Sequence, residues 1–209
     1  MTRSDLSFPS RPVRSVLPML LALLPVMTAC ESRAPSVEAD AAIGSASASG
    51  SAESVVLNLR RTVGIAHEKL VSLAEAMPEE DYSWRPMEGV RSVGDVFIHV
   101  AADNWFGPAL MGIEAPPETG VTTEDETVRA YQERDLSKEE ILAEMEASFQ
   151  HILAAMDQVA PQAGEEVSLR GNAMSQADLW VRLVVHMHEH LGQAVAYARS
   201  REVVPPWSR

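Results

Sequence analysis

The stretch Val184–Tyr197, V-V-H-M-H-E-H-L-G-Q-A-V-A-Y, holds three of the six histidines in a chain of 209 residues, and its reading decides the fold. A helix turns every 3.6 residues, so His186 and His190, at i and i+4, stand one above the other while His188 points away. Leu179, Leu183, His186, His190, Gln193 and Tyr197 advance by steps of four and three. That spacing predicts an amphipathic helix with both histidines on its inward stripe. Two imidazoles do not close a metal site, and hydrogen-bonded core histidines have the same spacing. A third inward histidine from another helix changes the reading.

His99 is that third residue. A helix beginning at the N-cap candidate Ser92 carries Val96, His99, Val100 and Asp103 at i, i+3, i+4 and i+7, so His99 faces inward among apolar neighbours. A buried imidazole needs a partner, and the pair on the last helix supplies one. Asp103 is a candidate hydrogen-bond acceptor behind the ligands or, equally, a solvated helix residue; Gln193 is a second candidate supporting residue. His67 borders an apolar stripe with no partner one turn away, and His151 falls off its stripe. Both are read as flanking or surface residues, like His188.

Two further helices complete the pattern. Val56, Leu59, Val63, Ala66, Leu70, Leu73 and Met77 mark one from about Ser54 to the stop at Pro78. The other follows the capping box Ser137–Glu140, with Leu142, Met145, Phe149, Ile152, Met156 and Val159 inward. The last helix is capped by Ser175 and runs to about Arg199. Between helices, 78–91 is a turn-rich connector whose Trp84 is expected to be buried, and 161–174 is a polar connector. Residues 108–136 are far longer than an ordinary helix–helix turn, so they cross the bundle or lid a site. No strand-like alternation is evident. The expected fold is all-α, a four-helix bundle over 54–209 with a long connection between helices 2 and 3. On facing helices, His99, His186 and His190 leave a fourth coordination position open, the layout of a catalytic metal site.

The N-terminal part has a different character. Residues 1–29 carry Arg3, Arg11 and Arg14, an apolar run from Val16 to Met27 and then small residues, the order of a secretory signal. Val26-Met27-Thr28-Ala29-Cys30 resembles the lipobox of bacterial lipoproteins, with Met27 where leucine is usual. Cys30 is then the lipidation site, and the expected address is the cell envelope; Glu31 after it favours the outer membrane in a Gram-negative source. Residues 30–53, rich in Ala, Ser and Gly, read as a flexible tether. Cys30 is the only cysteine, which excludes disulfides, thiolate ligands and a cysteine nucleophile in the domain. Removing 1–29 takes Lys+Arg from 17 to 14 and Asp+Glu from 30 to 29, moving the net charge from −13 to −15. Such an anionic domain, without basic clusters, is not a nucleic-acid binder.

Trp84-Arg85-Pro86, Ser92-Val93-Gly94-Asp95-Val96 with His99, and His186-x-x-x-His190-Leu191-Gly192-Gln193 resemble the DinB-like metal-binding four-helix bundles, as do Tyr197-Ala198-Arg199 and Val204-Pro205-Pro206-Trp207. The resemblance covers about 54–207. It implies one divalent metal, zinc or nickel, on His99, His186 and His190, a parallel crossover through the long connector, and no DNA contact. Related enzymes use the metal for thiol-dependent transfer or isomerisation, or for hydrolysis. An exported domain has little access to cytoplasmic thiol cofactors, which makes water activated by the metal the simpler nucleophile. Three functions follow: a metal-dependent hydrolase or transferase, a non-catalytic metal- or small-ligand-binding lipoprotein, and a metal-free interaction module. The substrate is not written in the sequence, and a homodimer is left open.

Overall fold

The computed structural model describes residues 37–208, with side chains from residue 50. The expected signal peptide at 1–29 and the lipidation site Cys30 lie outside the described residues. The chain is mostly helical: α1 (Val37–Ala76), α2 (Val93–Ala109), α3 (Asp125–Gln132), α4 (Lys138–Val159) and α5 (Gln176–Ser200). α1 packs on α4 and α5, and α2 packs on the same two helices. Their facing sides make the main core, with Leu70 and Leu73 of α1, Met77 just after it, Phe97 of α2, Met145, Phe149, Ile152 and Met156 of α4, and Trp180 of α5 almost fully enclosed. Each such side chain contributes about 1.5–3 kcal/mol on burial, so this interior is the main stabilising term.

Local chemistry sets three of the helix starts. Ser92 Oγ accepts from the Asp95 amide (3.1 Å) while Asp95 Oδ2 accepts from the Ser92 amide (2.8 Å), a reciprocal cap on α2. Ser137 and Glu140 do the same for α4, and Ser175 Oγ accepts from the Asp178 amide at the start of α5. The start of α1 differs from expectation. It lies at Val37 rather than Ser54, so residues 37–53, read as tether, are helical. Alanine is the strongest helix former and recurs through this stretch, and the low apolar content that argued for a tether says nothing about local helix propensity.

The connectors 108–136 and 161–174 contain regular structure. Residues 108–136 include α3, and Val121, Val128 and Tyr131 from this segment pack against Ile98, Ala102, Trp105 and Phe106 of α2 in a second apolar cluster. α2 is therefore buried on nearly its whole circumference. Between α4 and α5, β1 (Glu166–Leu169) pairs antiparallel with β2 (Asn172–Ser175), a correction to the strand-free expectation. The turn explains it: Arg170 and Gly171 both have positive φ, +50° and +79°, the backbone of a tight two-residue hairpin. Four-residue strands carry too little alternation to be seen in sequence.

α5 also differs in rotation. Its core-facing ridge is Trp180, Val184, Met187, Ala194 and Ala198, whereas Leu179, Leu183, His186, His190, Gln193 and Tyr197 form the adjoining ridge. The two histidines therefore stand at the edge of the core rather than in its middle. α2 and α5 approach closely beside them, since a Cβ added at Gly107 would lie 2.5 Å from Leu183 Cδ1. Trp84 is half-buried rather than buried, with its ring edge-on to Tyr197 at 5.5 Å.

Candidate metal centre

His99 of α2 and His186 and His190 of α5 bring their Nε2 atoms together. His186 Nε2 lies 3.2 Å from His99 Nε2 and 3.2 Å from His190 Nε2, and the three ligating atoms are all within 4.8 Å of one another. Nitrogens held about 2.0–2.1 Å from one tetrahedral ion sit roughly 3.3–3.4 Å apart, so the spacing suits a single ion.

The outer nitrogens fix which atoms point inward. His99 Nδ1 is 3.0 Å from Gln132 Oε1, His190 Nδ1 is 2.9 Å from Gln193 Oε1, and His186 Nδ1 is 3.3 Å from Glu189 Oε2. These three partner atoms accept only, so imidazoles that donate to them from Nδ1 present their Nε2 lone pairs inward; at His99 the guanidinium of Arg91 also lies 3.3 Å from Nδ1. Gln193 is held in that orientation because its Nε2 donates to Tyr197 Oη (3.0 Å), which donates in turn to the Arg91 carbonyl (3.3 Å). Gln132 is held by α3, whose Tyr131 donates to Glu144 (2.7 Å) and accepts from Trp105 Nε1 (2.9 Å). Three bare lone pairs facing one another repel unless a cation lies between them. The donor set therefore fits a divalent ion.

Asp103, one turn after His99, is placed differently from Gln132. Its Oδ2 lies 3.2 Å from His186 Nε2 and 3.4 Å from His99 Nε2, on the convergent side. Burial lowers the His99 pKa to about 4, against the opposing pull of Asp103, and burial also lowers that of His190. The hydrogen bond to Asp103 raises that of His186. A proton on His186, shared with Asp103, is thus the competitor of any ion. The histidines open on a cavity of about 610 Å³ whose lining includes Phe106, Leu110, Leu169 and Leu183.

The sequence profile of the DinB superfamily matches residues 64–194. The chain belongs to the DinB superfamily. Solved structures similar to this DinB chain include a DinB-like protein from Bacillus cereus ATCC 10987 (15% identity, 68% of this chain and 89% of that one, TM-score 0.57). Another is the DinB-like protein YjoA from Bacillus subtilis (16% identity, 70% and 93%, TM-score 0.54). A third, described as a member of the DinB family, comes from Exiguobacterium sibiricum 255-15 (22% identity, 69% and 90%, TM-score 0.52). At these identities the likeness is one of fold. No curated protein matches.

Sequence reasoning missed Gln132, because α3 has only eight residues and sits in the long connector, where no helix was expected. Glu189, the residue before His190, reaches the outer nitrogen of His186. His151, read as surface, is half-buried, its ring 4.9 Å from Trp105, and its Nε2 has no hydrogen-bond partner among the described residues. His67 stacks on Phe149 at 4.7 Å and pairs with Glu146 at 2.7 Å. His188 is exposed, its Nδ1 2.8 Å from the Val184 carbonyl.

Proposed function

We propose that this DinB protein binds one divalent ion, zinc or nickel, on His99, His186 and His190, and uses the open position for hydrolysis or group transfer on a small molecule. The observation that carries the reading is the convergence of three Nε2 atoms whose rings are each tied down at Nδ1. All-imidazole ligation suits these metals. A bound ion supplies Lewis-acid polarisation of an oxygen in the cavity. The chain's own residues do the rest: Gln132, Glu189 and Gln193 keep the ligands in register, Asp103 offers an acceptor for a proton beside the reacting atoms, and the apolar walls exclude water. We also read α1, α2, α4 and α5 as a four-helix bundle in which the 108–136 segment makes the crossover.

The position of Asp103 supports a second reading. With Oδ2 this close to two ligating nitrogens, Asp103 as fourth ligand closes the site and makes the protein a non-catalytic metal-binding lipoprotein. Metal analysis and turnover separate the two. The purified chain is expected to hold one ion, lost from His99→Ala, His186→Ala and His190→Ala and kept in His188→Ala. Asp103→Asn keeps the ion but loses turnover of an ester, amide or thiol-acceptor substrate if the site is open, whereas a large drop in metal affinity from Asp103→Asn sinks the open-site reading. Equal metal loss from His188→Ala and His190→Ala sinks the assignment of ligands.

We further propose that residues 1–29 export the chain and that Cys30 anchors it in the cell envelope through lipid. Cell fractionation tests this: Cys30→Ser is expected to release the protein from membranes, and a wild-type chain already soluble refutes the anchor.

A further inference from the structure

Three arginines line the same cavity as the histidines: Arg91, Arg170 and Arg182. In a chain with net charge −13 the general field repels anions. Cations gathered at one concave apolar site oppose that field. Arg182 is exposed and has no ion-pair partner among the described residues. Arg91 donates to the neutral Gln132 Oε1 at 3.5 Å and lies 3.3 Å from His99 Nδ1, the outer nitrogen of that ring. Arg170 grips Asp125 through Nε and Nη2 (3.1 and 2.9 Å) and leaves Nη1 without a hydrogen bond among the described residues.

The backbone at Arg170 is an independent observation. Its φ of +50° is left-handed, a conformation that costs free energy for a residue with a Cβ and that a hairpin of this type ordinarily fills with asparagine, aspartate or glycine. A strained arginine at the tip of a hairpin, lining a cavity that contains three converging histidines, is better explained by what it holds than by the turn it makes. The acidic residues of the lining are turned to other tasks: Asp103 Oδ2 lies 3.2 Å from His186 Nε2, and Glu189 Oε2 lies 3.3 Å from His186 Nδ1.

We propose that Arg170 and Arg182, with Arg91 beside His99, form an anion-recognition rim over the three-histidine cavity, so that the ligand is a small organic oxyanion with an apolar body. The head meets the guanidinium groups, which favour planar carboxylates. The body lies on Phe106, Leu110, Leu169 and Leu183. A cavity of about 610 Å³ suits a molecule of that size. This deepens the metal-site reading and rests on it for the chemistry, though not for the charge selection.

The test is calorimetric titration of the purified zinc-loaded full chain with 4-phenylbutyrate and with its neutral counterpart 4-phenylbutyramide. The carboxylate is expected to bind at least tenfold more tightly. The double variant Arg170→Asn, Arg182→Gln is expected to lose that preference while zinc stoichiometry and amide affinity stay within twofold. Arg170→Asn, which suits the left-handed turn, is also expected to melt no lower than wild type, so weakened binding in it is not a folding defect. Equal affinity for the two probes, binding of neither, or a carboxylate preference that survives in the double variant overturns the rim; the last outcome takes the head off Arg170 and Arg182. A chain that binds no zinc yet shows the arginine-dependent preference refutes the metal reading and leaves the rim standing.

Discussion

The three converging imidazoles differ in their outer partners and in exposure. His186 has a carboxylate at Nδ1 and a side chain 44% exposed, whereas His99 has an amide oxygen and a side chain 10% exposed. Their protonation responds in opposite directions to folding. Burial holds His99, His190 and the half-buried His151 below the ordinary histidine range, so their unfolded forms bind more protons and the folded state loses stability as pH falls below 6.5. His186 is raised, so its contribution is full below 6.5 and fades as pH rises through its folded value. Asp125, Glu140 and Glu146, held below their ordinary values, add losses only at more acidic pH. Thermal melts of the metal-free chain are therefore expected to drop from pH 6.5 to about 4, and His99→Leu should flatten that slope. An unchanged slope in His99→Leu would show that His99 is not buried in neutral form. Metal occupancy should fall in the same direction, because the proton on His186 competes with the ion.

At the level of elements, the helices bearing the three converging histidines were legible because their apolar residues recur at steps of three and four over several turns and begin at serine caps. α2 shows how much hangs on such a cap. Ser92 sits two turns before His99, and its buried hydroxyl and amide are both used by Asp95. Ser92→Ala is expected to cost about 1 kcal/mol. For a domain of this size that lowers the melting temperature by roughly 2–4 °C. No change by calorimetry would mean that the cap is dispensable. What was not legible is short or sits between two faces. The hairpin strands have four residues each, α3 has eight, and α5 carries two adjacent apolar ridges, of which periodicity alone picked the one beside the core. Gln132 was invisible for the same reason: nothing in E-D-E-T-V-R-A-Y-Q links it to a histidine 33 residues earlier until α3 folds onto α2.

Over the whole molecule, the site draws on α2, α3, α5, the loop carrying Arg91 and the tip of the hairpin. An ion that binds only this assembled state adds its binding free energy to folding, about 2.7 kcal/mol at a hundredfold excess over its dissociation constant. The zinc-loaded chain is thus expected to melt roughly 5–10 °C above the chelated one. The increment should vanish in His190→Ala; an equal increment there would place the stabilising ion elsewhere. His99 and His186 are 87 residues apart in sequence and meet only when the helices pack. An unfolded chain in transit through a translocation channel has no such meeting point. If the leader acts as proposed, the protein is therefore loaded after its journey, and the ion it carries is selected by the metal supply of the compartment where it folds, not by that of the compartment where it is made.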